Sequence, residues 1–161
     1  MRAHQLTLLG LSVAFFSLVA DQLLKSWAHA WVGAHGPIRA FPGLNLIATS
    51  NTGMAFGIGQ GGALWILVGI AVVISAWLFL WLLRTRRPIT ATGLGLTIGG
   101  ALSNVLDRLR FGSVRDFIDV YWRDWHWPAF NLADAAIVVG LALVLLFHAD
   151  APRTRNLAIR S

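Results

Sequence analysis

Of the 161 residues, 57% are hydrophobic and 12% are charged, whereas about a quarter are charged in an ordinary soluble domain, so the composition predicts an integral membrane protein. The net charge of +6 comes mainly from Arg residues that flank apolar runs, which is typical of membrane topology and predicts no nucleic-acid partner. Because the chain has no Cys, disulfides, thiolate nucleophiles and Cys-ligated metal sites are excluded.

Four apolar stretches are long enough to cross the roughly 30 Å of hydrocarbon in a bilayer, which takes about 20 residues. They are residues 6–27, 61–83, 89–111 and 130–148. Four spans put both termini on one side, which the Arg-rich connection at 84–88 shares and which is therefore predicted to be cytoplasmic. The predicted fold is a single all-α membrane domain over 1–161, with a small β-rich cradle on the outer side. The predicted outer segments are 33–60 and 112–129.

The first span carries Asp21 and Lys25 near its outer end, in "DQLLK". A cleaved signal peptide is an alternative for this stretch, but its apolar region is shorter and it lacks such charges, so a retained helix is predicted. Acid before base at i, i+4 is the favourable order for an intrahelical salt bridge. A purely structural ion pair is therefore the simplest interpretation of these two residues.

The segment 33–60 is the longest predicted stretch outside the membrane. Within it, "LNLIAT" alternates enough to predict a short strand, and Pro and Gly residues punctuate it as turns. An open strand edge cannot face lipid, so this segment is expected at the membrane surface or over a cavity. "NTGMAFG" at 51–57 resembles a turn that leads into an apolar insertion.

The third span ends in "GGALSNVLDRLR", which places Asn104, Asp107 and Arg108 at i, i+3 and i+4 on one helical face. Polar groups inside a span usually face the bundle interior and mark function. The alternative is that Asp107 only pairs with Arg108 or Arg110 at the interface, while the Gly pair permits close helix packing.

Asp116 follows the third span and Asp134 lies near the start of the fourth, so antiparallel packing brings both carboxyls to the same level. Two close carboxyls do not both ionise readily, and such a pair can act as base and acid on a water molecule. The alternative for Asp134 is helix capping, because "NLAD" offers Asn131 as the N-cap and Asp134 as an acid in the first turn. Asp119 and Asp124 are expected in a hydrated loop, solvated or paired with Arg123.

Five short motifs occur in order along the chain: "DQLLK" (21–25), "NTGMAF" (51–56), "GGALSNVLDR" (99–108), "VRDFID" (114–119) and "FNLAD" (130–134). Together they resemble the motif set of the lipoprotein signal peptidases, also called bacterial signal peptidase II. The resemblance runs across most of the chain and includes its length and its four predicted spans. Members of that family are inner-membrane aspartyl proteases that remove the signal peptide from prolipoproteins whose lipobox Cys carries a diacylglyceryl group.

Carried over residue by residue, the resemblance implies that Asp116 and Asp134 are the catalytic pair. It implies that a set of polar residues lines the substrate site, namely Asn51, Asn104, Arg108 and Asn131. It implies structural or site-supporting roles for Asp21, Lys25, Gly53 and Asp107. Ser103 departs from the family pattern, in which a glycine is expected before the asparagine.

The resemblance further implies a monomer in the bacterial inner membrane, with its site near the outer face, diacylglyceryl-modified prolipoproteins and membrane lipids as partners, and no cofactor. The five His residues form no i, i+4 pair and no HExxH, so no metal site is expected. The hypothesis is water-mediated hydrolysis by the Asp pair. Two rivals are a proton-coupled transporter or channel subunit, which needs a polar path toward the cytoplasm, and a non-catalytic membrane scaffold.

Overall fold

The computed structural model describes residues 3–53 and 62–148. Within these ranges the elements are α1 (Ala3–His35), β1 (Ile38–Phe41), β2 (Leu44–Asn51), α2 (Gly62–Leu82), α3 (Pro88–Phe111), β3 (Val114–Trp122), β4 (Trp125–His126) and α4 (Leu132–His148). The second half of the "NTGMAF" motif, from residue 54, and the basic C-terminal tail lie outside the described residues, as does Arg2.

Three of the described helices, α1, α2 and α3, are long and apolar enough to cross a membrane, and α4 is a shorter apolar helix. α2 contains no charged residue and exposes most of its large side chains, which suits a helix that faces lipid. This architecture agrees with the predicted class of helical membrane protein with a small sheet. The fourth span and the orientation of the termini stay predictions.

α3 is the central helix and contacts α1, α2 and α4. Its neighbouring Gly99 and Gly100 touch two different helices: a Cβ at Gly99 would collide with the backbone of Ala14 in α1, and one at Gly100 with the carbonyl oxygen of Ala133 in α4. Because small residues let helix backbones approach closely, this pair sets how α1 and α4 pack on either side of α3.

α3 ends where its sequence provides a stop. Gly112 adopts a left-handed conformation with φ of 72°, and its N–H donates to the carbonyl oxygen of Arg108 at 3.0 Å. Arg108 and Arg110 lie in this last turn, where cations interact favourably with the negative end of the helix dipole. The helix dipole therefore accounts for the arginines at this end of the span without reference to membrane topology.

The four strands form one antiparallel meander in the order β1-β2-β3-β4. β2 and β3 pair from Leu44 opposite Val120 to Asn51 opposite Val114, with an irregularity between Leu46 and Thr49. The predicted strand at 44–49 is thus confirmed. The interpretation of the chain around Asp119 as a hydrated loop is wrong, because β3 extends the sheet through this region.

The two ends of the helix bundle differ in what they bury. At the end away from the sheet the core is apolar, formed by Leu6, Ala14, Leu78, Leu82, Ala91, Leu94, Ile98 and Val144. At the sheet end many of the buried side chains are polar or charged, among them Asp21, Lys25, Ser103, Asn104, Asp107, Asp116, Asp119 and Asn131. Buried polar groups require partners, so the sheet end is where a site is expected.

Candidate active site

The carboxyls of Asp116 and Asp134 are joined through one residue, Asn131. Asp116 lies on β3, and Asp134 lies in the first turn of α4. The side-chain amide of Asn131 donates from Nδ2 to Oδ1 of Asp116 at 2.6 Å, and its backbone N–H donates to Oδ2 of Asp134 at 3.1 Å. The two acids that were predicted to lie at one level are therefore neighbours around a shared asparagine.

Asn131 also begins α4, as the capping interpretation of "NLAD" predicted. The N–H of Asp134 donates to Oδ1 of Asn131 at 3.0 Å, while Oδ2 of Asp134 accepts the N–H of Asn131. This reciprocal pair is a capping box, which satisfies two donors that a helix start would otherwise leave without partners. The cap uses one oxygen of Asp134 and leaves the other, Oδ1, pointing into the helix bundle.

That second oxygen is held from α3. Asn104 donates from Nδ2 to Oδ1 of Asp134 at 2.8 Å, and its own Oδ1 accepts from Nζ of Lys25 at 2.8 Å. Because an ammonium group only donates, Lys25 fixes the orientation of the Asn104 amide, with the NH₂ group toward Asp134. A residue on α1 thereby sets the donor that faces a carboxyl on α4.

Lys25 is fully buried between two carboxylates. Its Nζ lies 2.7 Å from Asp21 and 3.2 Å from Asp107, and all three side chains are 0% exposed. The intrahelical pair with Asp21 exists as the simplest interpretation predicted, but the pairing of Asp107 with Arg108 or Arg110 is wrong, because Asp107 pairs with Lys25 and Arg115. A buried cation with two buried anions leaves one negative charge, which Arg115 neutralises.

Asp21 links three helices. Besides Lys25, its Oδ2 accepts the hydroxyl of Ser103 on α3 at 2.6 Å, and its Oδ1 accepts the N–H of Ala133 at the start of α4 at 2.9 Å. The Ser103 hydroxyl also accepts from Nε2 of Gln22 at 2.9 Å. The serine that departs from the family pattern is therefore a member of this network rather than a steric intrusion.

Gln22 and Arg115 close the network toward the sheet. Nε2 of Gln22 donates to Oδ1 of Asp107 at 2.9 Å, and Arg115 donates to the same oxygen at 3.0 Å and to Oε1 of Gln22 at 3.2 Å. The Arg115 guanidinium also lies 4.3 Å from the ring centre of Phe111, a cation–π contact.

Arg108 is half-buried beside the two acids. Its Nη1 donates weakly to the carbonyl oxygen of Asn104 at 3.5 Å, and its buried Nε has no hydrogen-bond partner within the described part of the chain. An Arg has five donors in a planar fork, so this side chain has donors to spare for an oxygen of a bound molecule.

Asn51 and Gly53 lie at the end of β2. The N–H of Gly53 donates to Oδ1 of Asn51 at 2.9 Å, and Gly53 has a φ of 72°, a left-handed conformation that favours glycine. Asn51 and Asp116 line the same polar pocket, and the Asn51 side chain opposes the rise in the pKa of Asp116. The turn at Gly53 thus fixes the side chain of Asn51 at the edge of this pocket.

The pKa of Asp116 differs from that of an ordinary carboxyl because of where the side chain lies. The side chain is 2% exposed, and this burial raises the pKa of the Asp116 carboxyl above its ordinary value. The hydrogen bond from Asn131 opposes the rise, and the negative charge of Asp134 adds to it. Burial and a neighbouring anion both disfavour ionisation, so this carboxyl tends to keep its proton.

Asp119 and Asp124 separate in the structure. Asp119 is buried on β3, where Oδ1 lies 2.8 Å from Nδ1 of His126 and Oδ2 accepts Nδ2 of Asn45 at 2.9 Å. Although burial opposes it, the hydrogen bonds from His126 and Asn45 lower the pKa of Asp119. Its predicted solvation or pairing with Arg123 is wrong, whereas Asp124 is exposed in the turn between β3 and β4, as expected.

Two pockets flank the acid pair. A polar pocket of about 410 Å³ contains Asp116 together with Thr49, Ser50, Asn51, Thr52, Pro128 and Ala129. An apolar groove of about 330 Å³ contains Asp134 together with Trp127, Phe130, Ala135, Val138 and Val139. A larger apolar groove of about 470 Å³ lies between α1, α3 and α4 and shares Ala135 and Val139 with the first groove.

Sequence reasoning did not single out four of the residues that surround the acids, namely Gln22, Asn45, Arg115 and His126. Gln22 and Arg115 sit inside the quoted motifs, so their positions were available as a signal. Asn45 and His126 meet Asp119 only because of the strand register, and "YWRDWHW" resembles a hairpin only when "RD" is recognised as its turn.

A family model described as signal peptidase (SPase) II matches residues 13–149. A lipoprotein signal peptidase of Coxiella burnetii (strain Dugway 5J108-111) is 40% identical over 143 residues, which cover 86% of this chain and 88% of the relative. One from Serratia marcescens is 42% identical over 137 residues, or 83% and 80% of the two chains. A bacterial membrane enzyme solved at 1.9 Å by the in meso method superimposes with a TM-score of 0.75 and 25% identity, covering 88% of this chain and 92% of its own.

Proposed function

The chain belongs to the signal peptidase II family of aspartic endopeptidases, and we propose that Asp116 and Asp134 are the catalytic pair of this chain. Membership of this family supports the removal of signal peptides from prolipoproteins as the function. We further propose that the cleaved bond precedes the diacylglyceryl-modified Cys of the lipobox. The single observation that carries the proposal is the pair of contacts from Asn131 to both carboxyls, which makes them neighbours at the sheet end of a multi-pass membrane protein.

The chemistry is hydrolysis of a peptide bond by water. One carboxylate takes a proton from the water molecule whose oxygen attacks the carbonyl carbon, and the other, protonated, donates a hydrogen bond to the carbonyl oxygen. The C–N bond then breaks, and the proton passes to the leaving amine. The products are a signal peptide with a new carboxylate and a lipoprotein with a free amine on its first Cys.

The raised pKa of Asp116 supports it as the acid that keeps the proton, with Asp134 as the base. Because the two carboxyls are neighbours, these roles describe the working state of the pair rather than two independent sites. Asn104 holds Asp134 in place on the helix side, and the spare donors of Arg108 are suited to a carbonyl or ester oxygen of the substrate.

The surroundings fit an amphipathic substrate. The polar pocket beside Asp116 suits the extended peptide after the cleaved bond, and the apolar groove beside Asp134 suits the signal-peptide side. The larger apolar groove between α1, α3 and α4 opens where membrane helices meet lipid, so it suits acyl chains. We propose that the enzyme acts as a monomer in the bacterial inner membrane, with this site near the outer face.

The test uses the full chain purified in detergent and a diacylglyceryl-modified lipobox peptide. Two products, separated by mass at the bond before the modified Cys, are expected, and the unmodified peptide is expected to be cleaved far more slowly. A proton-coupled transporter or a scaffold would leave both peptides intact. Intact modified peptide under conditions where the protein remains folded would overturn the proposal.

A further inference from the structure

One short piece of chain separates the two pockets that flank the acid pair. This return segment, residues 127–130, runs back along β3 from the β3–β4 hairpin to Asn131. The N–H of Trp127 donates to Val120 O at 2.8 Å, and the N–H of Phe130 donates to Ile118 O at 3.1 Å. The carbonyl oxygen of Phe130 in turn accepts the N–H of Ile118 at 2.9 Å. Both ends of the return segment are therefore bonded to the strand that carries Asp116.

The two sides of the return segment face different chemistry. Pro128 and Ala129 line the polar pocket that contains Asp116, and Trp127 and Phe130 line the apolar groove that contains Asp134. The return segment is thus a wall between a polar and an apolar compartment. A substrate that is polar on one side of the cleaved bond and apolar on the other has to lie across this wall in one register.

The return segment is anchored at its start by His126. The ring nitrogen Nδ1 of His126 lies 2.8 Å from Oδ1 of Asp119, whose other oxygen is held by Asn45 on β2. The ring also stacks on Tyr121, with centroids 5.4 Å apart. β4 is only two residues long, and such a short strand has little stability of its own. The side-chain contacts of His126 add to the backbone hydrogen bonds that hold the return segment on β3.

We propose that His126, held by Asp119 and Asn45, is a positioning residue that fixes the return segment and thereby the register of the substrate across the acid pair. The inference rests on the proposed function, since it concerns the same site and the same lipid-modified substrate. It assigns the buried Asp119 a role in substrate placement that its position outside the catalytic pair does not suggest.

The contacts of the acid pair do not pass through His126. Asn131 directly follows the return segment, but it is itself fixed by the cap of α4 where it holds Asp116, and Asn104 holds Asp134 from α3. Loss of the His126 contacts is therefore expected to loosen the return segment, which weakens substrate binding and leaves the chemical step nearly intact. This split between KM and kcat distinguishes a positioning role from general loss of structure, which lowers the amount of active enzyme and so the apparent kcat.

The experiment measures kcat and KM of the full chain in detergent with the diacylglyceryl-modified lipobox peptide. For His126→Ala, KM is expected to rise about tenfold with kcat within about twofold, because a hydrogen bond to a charged group is lost. His126→Asn is expected to restore most of the affinity, since its amide N–H₂ replaces the ring donor. Asp124→Asn, a change in the exposed turn of the same hairpin, is the matched control and leaves both constants unchanged.

A second readout does not depend on activity. Amide hydrogen exchange of Trp127, Ala129 and Phe130 is expected to accelerate in His126→Ala and to stay at the wild-type rate in Asp124→Asn. If His126→Ala does not fold, Asn45→Ala replaces it, with a rise in KM of about threefold expected from loss of the weaker support.

The inference would be overturned if the first variant that folds had wild-type kinetic constants or wild-type hydrogen exchange. A fall in kcat at unchanged KM, or a failure of His126→Asn to recover affinity, would also overturn it. Each of these outcomes requires a wild-type enzyme that cleaves the peptide. An inactive wild type would contradict the proposed function instead, so the two failures are distinguishable.

Discussion

The two carboxyls of the candidate site are held by different halves of the molecule. Asp134 belongs to the helix half, where it helps to cap α4 and accepts a hydrogen bond from Asn104. Lys25, part of a buried ion network, orients the Asn104 amide. Asp116 belongs to the sheet half, where backbone pairing of β2 and β3 fixes its position and Asn131 reaches it from the helix side. One acid is therefore placed by a helix cap and a buried polar network and the other by strand pairing, with Asn131 as the junction.

The largest expected effect comes from neutralising either acid. Asp116→Asn and Asp134→Asn are each expected to lower kcat by about a thousandfold or more, and the double variant to be no worse than either alone, because the pair acts as a unit. The stability effects are expected to differ: Asp134→Asn loses about 1 kcal/mol, since an amide cannot accept from both Asn131 and Asn104, whereas Asp116→Asn loses less.

Cleavage of the modified peptide and thermal unfolding in the same detergent measure both effects. Asp124→Asn is again the matched control, because this aspartate lies exposed in a turn. A larger loss of stability in Asp116→Asn than in Asp134→Asn would contradict the different roles of the two halves in holding their acids. Near-normal cleavage by either variant would remove the substituted residue from the catalytic pair.

The next effect tests the helix half alone. Lys25→Met leaves the buried carboxylates of Asp21 and Asp107 without their shared cation, and removal of one partner from a buried ion pair costs about 3–5 kcal/mol. A fall in the unfolding temperature of several degrees is therefore expected. Arg39→Met, which removes an exposed cation from β1, serves as the control with little change. A small fall in the unfolding temperature of Lys25→Met would mean that the ion network does not stabilise the helix half.

The pH profile tests the sheet half. Because the pKa of Asp116 is raised, the pair keeps its proton to a higher pH than an ordinary carboxyl, and kcat/KM is expected to fall as pH rises through that pKa. Asn131→Ser keeps an N-cap but is too short to donate to Asp116. Loss of this donor to the carboxylate form raises the pKa, so the basic limb of the profile is expected to move to higher pH. A basic limb that stays in place or moves to lower pH would contradict the assignment.

The smallest effect concerns Ser103. Ser103→Gly removes the hydroxyl between Asp21 and Gln22 and adds helix flexibility, which together are expected to cost about 1–2 kcal/mol. The catalytic constants should remain at the wild-type level, because Asp21 keeps Lys25 and the N–H of Ala133. Unfolding and cleavage measured side by side decide this. A changed kcat would show that the network acts on the acids more directly than its contacts indicate.

The sequence predicted the features that depend on local spacing. Apolar length predicted the long helices, and "NLAD" predicted both the cap at Asn131 and the placement of Asp134 in the first turn. The neighbourhood of Asp116 and Asp134 followed from antiparallel packing across a short connection. These inferences needed only helical periodicity and chain length.

What the sequence did not predict depends on long-range register. Asp107 pairs with Arg115 because strand β3 turns back over the end of α3, and with Lys25 because α1 packs on α3, although Arg108 and Arg110 are closer in sequence. Asp119 is buried only because β3 pairs with β2 opposite Asn45 and because the hairpin returns His126 to it. A two-residue β4 carries too weak an alternating pattern to be recognised in advance.

The neighbouring Gly99 and Gly100 have a consequence for the enzyme in membranes of different thickness. They bring α3 into backbone contact with Ala14 of α1 and with Ala133, which directly precedes Asp134. Backbone contacts contain no side chain that could rotate to let one helix slide along another. A bilayer that does not match the hydrophobic length of the bundle is therefore expected to tilt the three helices together rather than to slide one along another. The two carboxyls are then expected to move together relative to the headgroups and to keep the same separation in thin and in thick membranes.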